Sequence, residues 1–193
     1  MSDERNRYSN SKVRMIAECA IMIALGTILA QIKIYRMPSG GSVTAGSMVP
    51  FLLIAYRCGT KWGLLAGFVN SLLQMLLGGI YPPVAPGAMG YVAEILLDYI
   101  LAYMVLGFAG SFAKPFRKNK TAGVAVSAFI CCLLRFICAF VSGFVVWADV
   151  MQDGTAAVIY SLGYNAAYMA PESCITVVLL VLLYRVAPAL FRE

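Results

Sequence analysis

Long apolar runs recur from one end of the chain to the other, and they limit its fold more than any other feature. Runs of about 20 apolar residues match the roughly 30 Å hydrocarbon core of a bilayer. Over 193 residues, 61% are hydrophobic and only 12% are charged, whereas soluble domains carry roughly 25% charged residues. The sequence therefore predicts an all-α integral membrane protein with almost no soluble part.

Breaks rich in glycine, proline and charge divide this apolar sequence into a predicted bundle of six transmembrane helices. They are predicted at residues 12–35, 46–58, 61–79, 88–113, 122–148 and 155–187. The second is short for a full crossing, which favours a tilted or broken helix. No internal repeat or low-complexity tract is visible, so residues 1–193 are interpreted as a single membrane domain with residues 1–11 as a flexible cytoplasmic tail.

Basic residues concentrate at alternate ends of the predicted helices. They precede the first helix and lie in the second loop, the fourth loop and the C-terminus: Arg5, Arg7, Lys12, Arg14, Arg57, Lys61, Lys114, Arg117, Lys118, Lys120, Arg185 and Arg192. Because basic loops stay on the cytoplasmic side, both termini are predicted to be cytoplasmic. This basic face also accounts for the net charge of +6 without a nucleic-acid partner.

Several reactive residue patterns are missing from the chain. It contains no histidine, which excludes Ser-His and Cys-His catalysis and histidine-ligated zinc or haem. Its six cysteines form no C-x-x-C motif, and such cysteines usually pack as small apolar residues. The glycine-rich segment 41–48 lacks the lysine of a nucleotide-binding loop. The chain is therefore predicted to have no catalytic residue, metal site or cofactor, and to take any ATP energy from another subunit.

Apart from basic residues near the helix ends, five charged residues fall inside the predicted helices: Glu18, Glu94, Asp98, Arg135 and Glu172. Each costs at least about 2.5–3.5 kcal/mol at the bilayer centre, so such residues usually serve a function. One arginine cannot neutralise four carboxylates, which predicts either protonated acids or a pocket that a cation visits. The structural alternative places Glu18 near the cytoplasmic end and pairs Arg135 with Asp98 or Glu172.

A stripe of tyrosines opens the last predicted helix. Tyr160, Tyr164, Tyr168 and Glu172 repeat every four residues, and Asn165 lies beside them, so they share one helical face. Such a stripe is typical of an interfacial aromatic belt or a packing seam. Together with buried carboxylates it is also what a flat cationic heterocycle requires, because rings attract the cation and carboxylates accept its hydrogen bonds.

Several stretches of the chain resemble one transporter family. They are residues 37–44 (MPSGGSVT), 97–102 (LDYILA), 134–136 (LRF) followed by Ser142-Gly143, and 160–172 (YSLGYNAAYMAPE). The chain is similar to the thiamine-specific substrate-binding (S) components of energy-coupling-factor (ECF) vitamin transporters, the ThiT/YuaJ-like family. The resemblance extends over nearly the whole chain.

This resemblance implies an architecture and a set of partners. It implies six helices in the bacterial cytoplasmic membrane, an outward-facing thiamine pocket near the ends of helices 4 to 6, and no enzymatic activity. Ala20 and Ala24 on helix 1 match a docking pair of small residues. They imply docking onto a transmembrane coupling subunit that two cytoplasmic ATPases drive, as in an ECF-type ABC transporter surrounded by membrane lipid.

The resemblance also implies ligand contacts on the last three helices. Six residues match ligand-contacting positions of the family. Asp98 matches an acidic residue and Tyr99 the residue that follows it. Gly143 matches a small residue, Trp147 a stacking aromatic, and Tyr160 and Asn165 two polar contacts. Tyr81 matches a ligand-facing tyrosine of the third loop. Tyr164, Glu172 and Glu94 complete the predicted substrate-binding set, because they belong to the tyrosine stripe and the intramembrane acids described above.

One position departs from the family pattern. The family has a histidine four residues after the helix-5 arginine, whereas Arg135 is followed by Ala139. Losing one buried hydrogen bond costs about 1–3 kcal/mol, or roughly 5- to 150-fold in affinity. A thiamine precursor or another heterocyclic vitamin is therefore an alternative ligand. Two further alternatives are a stand-alone secondary transporter, although no inverted repeat is visible, and a membrane enzyme using Glu94 and Asp98.

Overall fold

The computed structural model describes residues 2–38, 40–81, 87–146 and 154–191, and it is predominantly helical. Its elements are α1 (Ser2–Gln31), β1 (Lys33–Arg36), β2 (Ser42–Thr44), α2 (Val49–Cys58), α3 (Thr60–Gly78), α4 (Ala88–Glu94), α5 (Ala102–Met104), α6 (Ala109–Ala113), α7 (Lys120–Val145) and α8 (Gly154–Val186). A π-helical segment, Ile95–Leu101, joins α4 to α5, and 3-10 turns cover Val105–Phe108, Lys114–Phe116 and Pro188–Phe191.

Four described stretches are long and apolar enough to cross a membrane. They are Lys12–Gln31, Ala88–Phe116, Lys120–Val145 and Thr155–Val186. The ten residues of α2 rise only about 15 Å, roughly half of a bilayer core. The chain is thus a helical protein with several apolar, membrane-length helices, while the count of six spans and the cytoplasmic termini stay predictions.

The first predicted helix has different bounds in the structure. It was predicted over 12–35, but α1 begins at Ser2 and ends at Gln31, after which the chain forms an antiparallel hairpin. In this hairpin Lys33 pairs with Thr44. The hairpin tip includes Gly40 and Gly41 at φ of 94° and 80°, values that favour glycine. The prediction that the first helix extends to residue 35 was therefore wrong, because β1 (Lys33–Arg36) begins two residues after α1 ends.

The fourth predicted helix, 88–113, is present as the helical stretch Ala88–Phe116, but its winding is not uniform. Its middle winds as the π-helical segment, a wider turn that is frequent at functional sites. The Tyr99 carbonyl accepts a hydrogen bond from the Ser71 hydroxyl of α3 at 2.8 Å. This side-chain bond gives the irregular backbone a partner inside the protein, as such backbone requires at membrane depth.

The apolar core surrounds α2. Residues 49–56 of α2 are all buried, and Phe51, Leu52 and Ile54 are almost fully inaccessible. The Tyr56 hydroxyl lies 2.7 Å from the Ser127 hydroxyl and donates to the Val124 carbonyl at 3.1 Å. A helix that is apolar on every side is one that its neighbours enclose, so α2 is the centre about which the other helices pack.

Glycines allow α3 to lie directly against α5 and the 3-10 turn that follows it. A Cβ added to Gly63 would lie 2.7 Å from the Gly107 Cα, and one added to Gly67 would lie 2.8 Å from the Tyr103 carbonyl carbon. Small residues permit this backbone approach between membrane helices. This packing holds α5 and the turn after it in place, directly after the π-helical segment Ile95–Leu101.

An ion pair joins the middle of α1 to the last turn of α2. Glu18 accepts hydrogen bonds from Arg57 at 2.7 and 3.1 Å and from Arg14 at 3.1 Å. Glu18 is thus paired with two arginines, while its position near the cytoplasmic end stays a prediction. Farther along α1, Ala20 and Ala24 are exposed.

Candidate functional site

A cavity of about 300 Å³ lies among the hairpin, the α4–π segment, α7 and α8. Nine of the ten predicted substrate-binding residues line it: Tyr81, Glu94, Asp98, Tyr99, Gly143, Tyr160, Tyr164, Asn165 and Glu172. The tenth, Trp147, lies outside the described residues. The volume is at the lower end of the range for small-molecule sites, and the structure therefore brings distant predicted residues around one space.

Glu172 of α8 joins the hairpin to the cavity wall. Its carboxylate accepts from the Thr44 amide at 2.5 Å, from the Thr44 hydroxyl at 2.6 Å and from the Ser47 hydroxyl at 3.4 Å. Glu172 is only 2% exposed. Because hydrogen bonds to a buried carboxylate are strong, this residue holds the hairpin in place over the cavity.

The tyrosine stripe of α8 forms one wall and contacts the hairpin tip. The rings of Tyr160 and Tyr164 stack with centroids 5.7 Å apart, and Tyr168 meets Tyr164 edge-on at 6.3 Å. The Tyr164 hydroxyl donates to the Gly40 carbonyl at 2.8 Å. A Cβ on Gly41 would lie 2.7 Å from the Tyr168 ring. The stripe is thus both a cavity wall and a packing seam for the hairpin.

Asp98 and Tyr99 lie in the π-helical segment and are each held by a neighbour. Ser142 of α7 donates to Asp98 Oδ2 at 2.5 Å. The Tyr99 hydroxyl donates to the Gly79 carbonyl at 3.1 Å. These bonds orient a carboxylate and a phenol on the same wall, where they can offer negative charge and an aromatic edge to a ligand.

Asn165 of α8 and Gly143 of α7 lie at a close contact between the two helices. The Asn165 amide donates to the Ser161 carbonyl at 3.0 Å and to the Ala139 carbonyl at 3.3 Å, and its Oδ1 accepts from Tyr168 at 2.8 Å. A Cβ on Gly143 would lie 3.1 Å from the Asn165 side-chain nitrogen. Both residues therefore hold the two helices together as well as lining the cavity.

Arg135 was expected, in the structural alternative, to form an ion pair with Asp98 or Glu172, and it forms neither. Both ion pairs within the described chain involve Glu18. Arg135 instead donates to the Tyr103 hydroxyl at 3.1 Å, and its guanidinium carbon lies 4.3 Å from the centre of that ring. The expected carboxylate partners are engaged elsewhere, since Glu172 binds the hairpin and Asp98 binds Ser142.

Two basic residues of β1 were missed by the sequence analysis. Lys33 and Arg36 line the cavity, but residues 33–35 had been assigned to the end of the first helix. With Arg135 they give the lining three basic side chains, against the acidic Glu94, Asp98 and Glu172. The expected excess of negative charge is therefore absent from the described lining. Their basic character beside a glycine-rich break was the available signal.

Comparison with known proteins identifies the family. Residues 16–192 match the model of the thiamine transporter protein (Thia_YuaJ) family. The chain belongs to this family. It is 38% identical over 195 residues to thiamine transporter ThiT of Bacillus subtilis (strain 168), covering 96% of this chain and 97% of that protein. It is 29% identical over 185 residues to thiamine transporter ThiT of Lacticaseibacillus paracasei, covering 92% and 90%.

A solved structure of ThiT from Listeria monocytogenes shares the fold of this Thia_YuaJ member. The TM-score is 0.76 at 24% identity, with 95% of this chain and all of that chain covered. Membership confirms the resemblance inferred from residues 37–44, 97–102 and 160–172. It also places the chain in a family of transporters rather than enzymes.

Proposed function

We propose that the chain is the high-affinity, membrane-embedded thiamine-binding subunit of an ECF-type ABC vitamin uptake transporter. It hands its substrate to a shared coupling module. The observation that carries this proposal is the cavity, whose lining combines nine of the predicted contact residues in a member of the Thia_YuaJ family. Named relatives from Bacillus subtilis and Lacticaseibacillus paracasei are thiamine transporters.

The cavity lining suits the chemistry of thiamine. Thiamine combines a positively charged thiazolium ring with a neutral aminopyrimidine, both flat. The stacked rings of Tyr160 and Tyr164 offer faces to which a cationic ring is attracted. Asp98, oriented by Ser142, supplies an acceptor and negative charge. Trp147 is proposed to stack on the ligand, with Gly143 leaving room for it, while Tyr99 and Tyr81 close the remaining sides.

The hairpin acts as the lid of this site in the proposed mechanism. Glu172 and Tyr164 bind its backbone at Thr44 and Gly40, so the roof is fixed by side chains of α8. Ligand exit to the outside then requires these bonds to open. This assigns Glu172 to the lid rather than to a direct ligand contact.

Release to the cytoplasm requires a partner in this proposal, because segment 41–48 lacks the lysine of a nucleotide-binding loop. Ala20 and Ala24 are exposed on α1, and exposed small residues let another helix approach closely. They are the proposed contact with a transmembrane coupling subunit driven by two cytoplasmic ATPases. The bacterial cytoplasmic membrane, with both termini inside, is the proposed location.

Replacing Asp98 with alanine should weaken thiamine binding at least tenfold, because it removes a charged hydrogen-bond acceptor worth about 1.5–3 kcal/mol. Equilibrium binding of radiolabelled thiamine to the purified protein measures this. Asp98→Asn is the matched variant, since it keeps the size of the side chain and loses its charge. Unchanged affinity in both variants removes Asp98 from the binding set.

Ala139 favours one alternative within the same transporter class. It lines the cavity and is 8% exposed, so the small side chain enlarges the space beside the tyrosine wall. A thiamine precursor or another heterocyclic vitamin then competes as the ligand. Stronger binding of the isolated pyrimidine precursor than of thiamine would favour this alternative. Uptake by the chain alone in proteoliposomes would favour a stand-alone secondary transporter instead.

A further inference from the structure

Glu94 is a buried acid whose bonding the fold leaves incomplete. It is the last residue of α4 and is 1% exposed. Its Oε2 atom is buried without a hydrogen-bond partner among the described residues, whereas the great majority of buried polar atoms have one. Since Glu94 lines the cavity, a ligand there is positioned to supply the missing partner.

No basic side chain among the described residues forms an ion pair with Glu94. Both ion pairs of the described chain belong to Glu18. Asp98, the other acid of this wall, binds the Ser142 hydroxyl, and the cavity-lining Arg135 is held against Tyr103. None of the ion pairs formed by the described residues therefore neutralises Glu94, in a setting where an unpaired charge is expensive.

The local backbone places the two acids on one wall. Glu94 directly precedes the π-helical segment that contains Asp98, and residues four apart are close to one turn of such a helix. Ala139 and Gly143 of α7 line the same cavity and present almost no side chain. These small residues leave room in the cavity for a flat ring beside Glu94, whereas Asp98 already accepts a hydrogen bond from Ser142 of α7.

We propose that Glu94 is a specificity-determining residue that, with Asp98, selects ligands carrying a fixed positive charge. This rests on the proposed thiamine-binding function and extends it. Stacking on tyrosine alone accepts neutral and cationic rings, whereas an unpaired buried carboxylate favours the cation. Glu94 thereby discriminates thiamine from neutral heterocycles of the same shape.

Thiamine and its uncharged 3-deaza analogue, in which carbon replaces the quaternary ring nitrogen, test this selection. Dissociation constants of both are measured by calorimetry on the purified full chain. Wild-type protein should prefer thiamine at least about tenfold, the loss expected when a partner of a charged group becomes neutral. Glu94→Gln, which keeps the side-chain size, should bring the preference down severalfold. Glu94→Asp keeps the charge and should preserve the preference.

Glu18→Gln is the matched control, because it makes the same chemical change in an ion pair outside the cavity, and its preference should equal that of the wild type. Equal weakening of both ligands by Glu94→Gln would overturn the inference and leave Glu94 a structural residue. Wild-type protein that binds thiamine without discriminating the analogue would overturn it as well, while the proposed function stands. Binding of neither ligand by wild-type protein would contradict both.

Discussion

Gly107→Ala should destabilise the protein by about 2–3 kcal/mol, the upper part of the usual range for overpacking. A Cβ at this position would lie 2.6 Å from the Gly63 carbonyl carbon and 2.9 Å from the Leu64 Cα. Both atoms are backbone, so neither can rotate aside. At 2–4 °C per kcal/mol for a chain of this size, the melting temperature should fall by about 5–10 °C.

Thermal unfolding of the detergent-solubilised protein measures this change. Gly163→Ala is the matched control, because Gly163 lies in α8 and no heavy atom is within 4 Å of an added Cβ. Alanine is favoured over glycine inside helices by up to about 1 kcal/mol, so this variant should be unchanged or more stable. Equal melting temperatures for both variants would show that α3 does not press on Gly107 as described.

Glu172→Ala should loosen the hairpin and weaken thiamine binding about 30-fold, which corresponds to roughly 2 kcal/mol. The substitution leaves the Thr44 amide and hydroxyl without the acceptor that they reach at 2.5 and 2.6 Å. Lys33 and Arg36 of the hairpin are exposed, so trypsin should cleave the chain there faster once the hairpin opens. The binding constant and the cleavage rate are measured on the same preparation.

Glu172→Gln provides the graded comparison for that experiment. Its amide retains one acceptor oxygen for Thr44 but loses the charge that strengthens the bond. The affinity and the cleavage rate should therefore fall between those of wild type and Glu172→Ala. If Glu172→Ala keeps wild-type affinity and wild-type resistance to trypsin, Glu172 does not hold the lid.

The helices were predictable because the length of the apolar runs, and the breaks between these runs, determine where helices begin and end. The bounds of α3 and α7, Thr60–Gly78 and Lys120–Val145, lie within three residues of the predicted 61–79 and 122–148. The hairpin was not predictable from the same pattern. Lys33–Arg36 continues the helical run without a breaker, and its strand pairs only because Ser42–Thr44 returns beside it.

The composition of the candidate site was more predictable than its bonding. The four-residue repeat from Tyr160 to Glu172 placed these side chains on one face, and they do share the cavity. The partner of Glu172 lies 128 positions away at Thr44, a pairing that no local pattern contains. The same limit applies to Arg135, whose ring contact with Tyr103 depends on how α7 packs.

Titration of the purified chain with thiamine, followed by intrinsic tryptophan fluorescence, tests the central claim most directly. The chain has two tryptophans, Trp62 and Trp147, and only Trp147 is predicted to stack on the ligand. Thiamine should quench the fluorescence in a tight, saturable way, and the quenching should vanish in Trp147→Ala. Absence of any response to thiamine, with a response to its pyrimidine precursor or another heterocycle, would contradict thiamine as the substrate of this site.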